Sequence, residues 1–137
     1  RWEHPRSADI LVSANWDRGS AGDGLPGRTT QGGAAGHGTS SPYDIHNVLV
    51  AAGPDFRSGA ISEVPPSNAA LAPTLLTLAG VPVPSGMTGR PIREALTSGP
   101  RPTSVRVDRQ VVTAATPDGS YTVQAHLSLV DGHQYLD

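Results

Sequence analysis

The stretch "QGGAAGHGTSSPYDIHNVLVAAGPDF", residues 31–56, sets His37 among glycines and alanines and follows it with an apolar run. Gly32, Gly33, Gly36 and Gly38 carry no side chains and permit backbone angles that other residues avoid. Such a loop can bring an imidazole close to another part of a site. A neutral imidazole presented this way is a candidate metal ligand. A single histidine without a spaced partner also fits a solvated loop position, and the residues alone leave both readings open.

The other groups capable of chemistry carry weaker signals. Thr39, Ser40 and Ser41 offer hydroxyls, but no G-x-S-x-G elbow surrounds them, and local turn and backbone hydrogen bonding is their expected use. His46 stands just before an apolar run and is expected to hydrogen-bond at a strand end. His126, on an expected strand, and His133, beside an expected turn, read as surface histidines, and His4 carries no signal. Asp9, Asp17, Asp23, Asp44 and Asp55 could supply a carboxylate cluster, yet spacing places no two of them together, so solvated positions are the default. No catalytic nucleophile and no cofactor-binding motif is assigned within this chain.

Composition narrows the classes further. The 137 residues could form one ordinary domain with a modest core. Ten basic and twelve acidic residues give a formal net charge of -2, with no electrostatic footprint for nucleic acid or an anionic membrane surface. No window approaches the roughly 18 apolar residues that span a bilayer, and the first residues lack the pattern of a signal peptide. With no cysteine, disulfides, thiolate nucleophiles and sulfur-rich zinc sites are excluded, leaving His, Asp and Glu as the strong metal ligands. Sixteen glycines and thirteen prolines imply long irregular connections. A chain opening at Arg1 is expected to be a processed or excised piece of a longer protein.

The elements expected to position His37 follow from hydrophobic pattern. Residues 8–14, "ADILVSA", and 47–52, "NVLVAA", read as buried strands, neighbouring or nearly so in one mostly parallel sheet. Nothing periodic lies between residues 15 and 45, and a connection of that length is uncommon unless it is functional or disordered. After "EVPPSN", a helix capped by Ser67 or Asn68 carries Leu71, Leu75 and Leu78 at i, i+4 and i+7 toward the sheet and stops at Gly80. Pro73 belongs in or near its first turn, or else marks a kink preceded by a tighter turn. Residues 90–96, "RPIREAL", read as a short helix with Pro91 first. Beyond Pro102 the pattern alternates, and two Asp-Gly pairs, at 118–119 and 131–132, sit where hairpin turns would join three antiparallel strands.

Three features in order, "GHGTSSPYDIHNVLVAAGPDFRSG", "SNAALAPTLLTLAGVPVP" and "MTGRPIREAL", resemble the C-terminal part of the alkaline phosphatase superfamily, especially its nucleotide pyrophosphatase/phosphodiesterase branch. The resemblance spans residues 6–96. It implies an α/β domain over residues 1–99, with a mostly parallel sheet and helices, followed by a β-rich extension over residues 100–137. It further implies a phosphate-ester hydrolase with two divalent metal ions, usually zinc, and a threonine or serine nucleophile. His37 matches the last metal-ligand histidine of the family. The nucleophile and other ligands, and hence catalysis, are expected in a missing N-terminal part of the same protein, with a small phosphate ester as substrate. His46 matches no ligand, and Ala70 and Leu71 stand before "APT" where the family often has "DI". Sulfatase, phosphomonoesterase or phosphonate hydrolase activity of the same superfamily is the alternative, as is a non-catalytic β-rich interaction module. Compartment is undetermined, with secretion or a periplasmic location favoured only by family habit.

Overall fold

A computed structural model describes residues 12–20, 26–29 and 41–137, together with Pro5, Ile10, Gly24 and Thr39. Chain contacts divide the protein into two units, Arg1–Val48 and Leu49–Asp137.

In the first unit, β1 (Trp16–Ser20) and β2 (Pro26–Thr29) form an antiparallel pair, and α1 (Pro42–Ile45) is a single turn of helix. Trp16 faces Thr29 and Asp17 faces Arg28, after which the register shifts before Ser20. This pair lies within the region read as aperiodic, because its strands lack the apolar alternation that announces a half-buried sheet. Asp17 accepts hydrogen bonds from Arg28 Nη2 at 2.9 Å and from the Gly19 N–H at 2.6 Å. The Arg28 guanidinium, then the Gly19 amide, hold the Asp17 carboxyl below its ordinary pKa. Both partners of this ion pair are more than half exposed, so its contribution to stability is small. The Trp16 and Tyr43 rings meet edge to face, 6.2 Å between centroids.

Residues 47–52 were expected to form a buried strand of a mostly parallel sheet. They form no strand, and Val48, Leu49 and Val50 are 89, 47 and 82% exposed. The companion run 8–14 lies partly outside the described residues. Its described members include no strand residue, and Ile10 and Val12 are exposed. Both sheets among the described residues are antiparallel, so the mostly parallel α/β fold is not observed. The physical reason is that an apolar run has strand propensity but becomes a strand only when a neighbour receives its N–H and C=O groups and another layer covers its faces. Here the following helix packs elsewhere.

That helix, α2 (Leu71–Leu78), is preceded by a 3₁₀ turn over Asn68–Ala70. Pro73 therefore falls in its first turn, behind the tighter turn. The C-terminus closes as a Schellman motif: the Gly80 N–H donates to Thr77 O and the Val81 N–H to Leu76 O. The face differs from expectation. Ala70, Pro73 and Thr74 are buried, whereas Leu71 is 44% and Leu75 63% exposed. Spacing of i, i+3 and i+4 is as good for this stripe as for the leucines. What decides between them is the turn before Ile92. Gly89 approaches so closely that a Cβ there would meet the Ala69 carbonyl, and the Thr74 hydroxyl accepts the Ile92 N–H at 2.9 Å while donating to Ala70 O at 2.6 Å.

The expected helix at 90–96 is reduced to one 3₁₀ turn, Arg93–Ala95. Beyond it the chain extends so that Leu96 bridges Phe56, with Arg57 N–H to Ala95 O and Thr97 N–H to Asp55 O. Another 3₁₀ turn, Pro102–Ser104, leads into the C-terminal sheet.

The C-terminal meander is as the alternation implied. β3 (Asp108–Ala115), β4 (Thr122–Val130) and β5 (His133–Leu136) pair antiparallel in sequence order. Asp108 faces Leu129, Val112 faces Ala125, and Ala115 faces Thr122. Val130 faces His133 across a two-residue loop. Asp131 and Gly132 in that loop both have positive φ, 48° and 77°, the backbone of a type I′ turn. In the first hairpin turn, Asp118 has its pKa lowered from 3.8 to about 2 by the Thr116 hydroxyl and the Ser120 amide and hydroxyl.

One sheet face is partly covered. Val130, Tyr135 and Val64 form the buried cluster, with Val105 and Val107 packed against it. The opposite face carries Val112 and Val123, both close to half exposed, with Leu127, Leu129 and Leu136 beside them.

Candidate functional site

His37 lies outside the described residues, and so do His4, Asp9, Asp23 and Ser40. The described structure resumes at Thr39, and from there the chain is held by a compact set of side-chain bonds. One Asp44 oxygen, Oδ2, accepts both the Thr39 N–H at 2.9 Å and the Thr39 hydroxyl at 2.5 Å. The Thr39 hydroxyl accepts the Ser41 N–H at 3.0 Å, and the Ser41 hydroxyl accepts the Tyr43 N–H at 3.2 Å as the N-cap of α1. Asn47 closes the set from the other side, its side-chain amide donating to Asp44 O at 2.7 Å.

Local sequence explains this arrangement. Ser41 followed by Pro42 is a preferred helix start: the hydroxyl satisfies a free amide, and proline at the first position lacks an N–H that would go unused. Ser41 is 2% exposed. Its hydroxyl and that of Thr39 are engaged in backbone capping, the use expected of them rather than nucleophilic attack. The Thr39 hydroxyl, then its amide, hold the Asp44 carboxyl below its ordinary pKa, so it stands ionised at neutral pH and accepts both bonds.

The remaining candidates are dispersed. Asp17 is committed to Arg28, and Asp55 is tied into the chain through its backbone oxygen, which accepts from the Thr97 amide and hydroxyl. His46 is exposed at the C-terminus of α1, with its N–H on Pro42 O. His126 is an exposed member of β4 opposite Val111. In His133, Nδ1 lies 3.0 Å from Asp131 O. Among the described residues, no group of three or more His, Asp or Glu could hold a metal ion.

The tightest polar arrangement was not anticipated. Arg90 and Glu94, 5 and 1% exposed, pair fork to fork, Nη1 to Oε2 at 2.8 Å and Nη2 to Oε1 at 2.7 Å. The Glu94 carboxylate raises the Arg90 pKa above its ordinary value despite burial. Asp131 Oδ2 lies 3.9 Å from the same guanidinium. The i, i+4 spacing was visible in "RPIREAL", but a short exposed helix would put such a pair in solvent. Glu94 engages Nη1 and Nη2 while Arg90 Nε has no hydrogen-bond partner among the described residues, and the nearby Asp131 carboxylate makes the pair a link from the turn after α2 to the β4–β5 hairpin.

The "TGRPIREAL" segment thus has a packing role: Gly89 permits the close approach, Ile92 engages Thr74, and Arg90 pairs with Glu94. No helix among the described residues is long and apolar enough to cross a membrane. No protein-family model, no curated protein and no solved structure matches the chain.

Proposed function

We propose that this chain is the C-terminal portion of a metal-dependent phosphoric ester hydrolase, similar to the nucleotide pyrophosphatase/phosphodiesterase branch of the alkaline phosphatase superfamily, and that His37 is one ligand of its two-metal site. The ordered motifs carry the reading. The observation that supports it is the bonded Thr39–Asp44 segment, which gives the glycine-rich loop a firm C-terminal anchor two residues after His37.

The described residues alone would not hold a metal pair, because a stable site needs about three or four donors. The other ligands and the nucleophile belong to an upstream part of the protein in this reading, and the chain by itself is inactive. Two divalent cations, most readily zinc, would lower the pKa of an attacking hydroxyl and clamp the oxygens of an in-line displacement. In this reading the contribution of this chain is the His37 imidazole as one metal ligand.

The test is metal stoichiometry and hydrolysis of a phosphodiester and a sulfate ester by the full-length protein and its His37→Ala variant. Loss of one metal equivalent, with turnover reduced by orders of magnitude, is the expected result. Unchanged stoichiometry and turnover would make His37 an ordinary loop histidine. The relative rates on the two esters separate the phosphodiesterase from the sulfatase of the same superfamily. A second reading, a β-rich interaction module, draws on the uncovered apolar face that carries Val112, Val123 and Leu136.

A further inference from the structure

We infer that Asp131 is a modification site: its side chain condenses with the Gly132 amide and opens to isoaspartate, while the same dipeptide at Asp118-Gly119 is held against that reaction. The chemistry needs no partner but water. The Gly132 nitrogen attacks Asp131 Cγ, a new N–C bond forms, the carboxyl C–O bond breaks, and the amide proton and the hydroxyl leave together as water. The succinimide ring then takes water back at either carbonyl. Hydrolysis at the α-carbonyl leaves the main chain running through Cβ, one methylene longer, with no atom oxidised or reduced. Glycine permits the attack at both places because no side chain shields its nitrogen. A Cβ at Gly119 or at Gly132 would meet nothing within 4 Å, so steric access does not separate the two sites.

Hydrogen bonding does separate them. In the first turn the Gly119 N–H donates to Thr116 O at 2.9 Å, and Asp118 Oδ1 accepts the Ser120 N–H at 3.1 Å and the Ser120 hydroxyl at 2.8 Å. Nucleophile and electrophile are both tied, and each must break bonds to reach the other. The carboxyl loses its hydroxyl most readily when neutral, and lowering the Asp118 pKa from 3.8 to about 2 makes that form roughly 60-fold scarcer above pH 5. In the second turn both groups are loose. The Gly132 N–H has no hydrogen-bond partner among the described residues. The Asp131 side chain is 71% exposed, and the Arg90 guanidinium beside it lies at 3.9 Å, beyond hydrogen-bond distance. Asp131 also stands at a φ of 48°, a left-handed backbone that costs an L-residue energy.

The turn that would be altered sets the pairing of Val130 with His133, and a two-residue loop lengthened by a methylene cannot keep that register. Val130 and Tyr135 of the buried cluster flank it. The experiment incubates the full-length protein, folded and unfolded in urea, at mildly acidic pH. The peptide released by trypsin after Arg109 carries both sites, and electron-transfer fragmentation reads isoaspartate at each. In the folded protein, isoaspartate at 131 is expected to exceed that at 118 by roughly tenfold or more. In urea the two should accumulate at comparable rates, since only the fold distinguishes them. Thr116→Val with Ser120→Ala, checked for integrity by thermal melting, should raise the yield at 118 several-fold. Comparable yields in the folded protein, no isoaspartate at 131, a preference that persists in urea, or an unchanged yield at 118 in the double variant would each overturn the inference.

Discussion

At the scale of single residues, the most consequential pair is Arg90 with Glu94. Both ions are buried and joined by two hydrogen bonds, so removing one leaves the other charged and buried. Glu94→Ala is expected to destabilise the protein by about 3 to 5 kcal/mol, because the buried guanidinium would keep only the exposed Asp131 carboxylate, 3.9 Å away, as a counter-charge. Replacing both residues, as in Arg90→Met with Glu94→Leu, should recover most of that loss, since the desolvation penalty disappears along with the attraction. Urea denaturation of the two variants checks the contrast, and equal losses would mean that the pair acts by packing alone. The residue chemistry was unevenly legible in the sequence. Asp131-Gly132 announces a hairpin turn, and positive φ at both positions makes it type I′. Arg90 and Glu94 announce only a spacing, and spacing does not say whether water reaches the pair. The capping serine was legible as a local hydrogen-bonding residue, but its partner network was not, since the Thr39–Asp44 bond joins residues whose spacing fits no standard motif.

At the scale of elements, α2 shows how periodicity locates a helix without choosing its face. Leucines at 71, 75 and 78 and the stripe of Ala70, Pro73 and Thr74 both satisfy helical spacing. The close approach of Gly89 and the bond from Ile92 select the second. Thr74→Val should cost about 1 to 3 kcal/mol, because the buried Ile92 amide loses its acceptor. Leu75→Ala, at a 63% exposed position, should change stability by well under the about 2 to 5 kcal/mol typical of a buried leucine. Thermal melts of the two variants decide the matter, and the opposite order would place the leucines in the core. The C-terminal meander was the most legible element because alternation, β-branching and turn residues all agree there. The β1–β2 pair was the least legible, because its strands carry glycine, charge and proline where a strand usually shows alternating apolar residues.

At the scale of the whole molecule, the expected parallel sheet failed where a local signal had to stand in for a distant partner. Residues 47–52 have the composition of a covered strand, yet among the described residues neither a pairing strand nor a covering layer is supplied to them. The meander needs no such partner, since each of its strands pairs with the next one along the chain. That difference has a kinetic consequence. Hairpins closed by two-residue and short turns form on a timescale of about 1 to 10 μs, whereas Val64 can join Val130 and Tyr135 only after the long intervening segment has closed, a step of larger entropic cost. Contact order thus separates an early, self-pairing sheet from a late core. Val64→Ala should accordingly accelerate unfolding while leaving the refolding rate nearly unchanged, a partition readable from the two arms of a chevron plot. A matching slowdown of refolding would instead place Val64 in the folding nucleus, and the sheet would then be a product of core formation rather than its template.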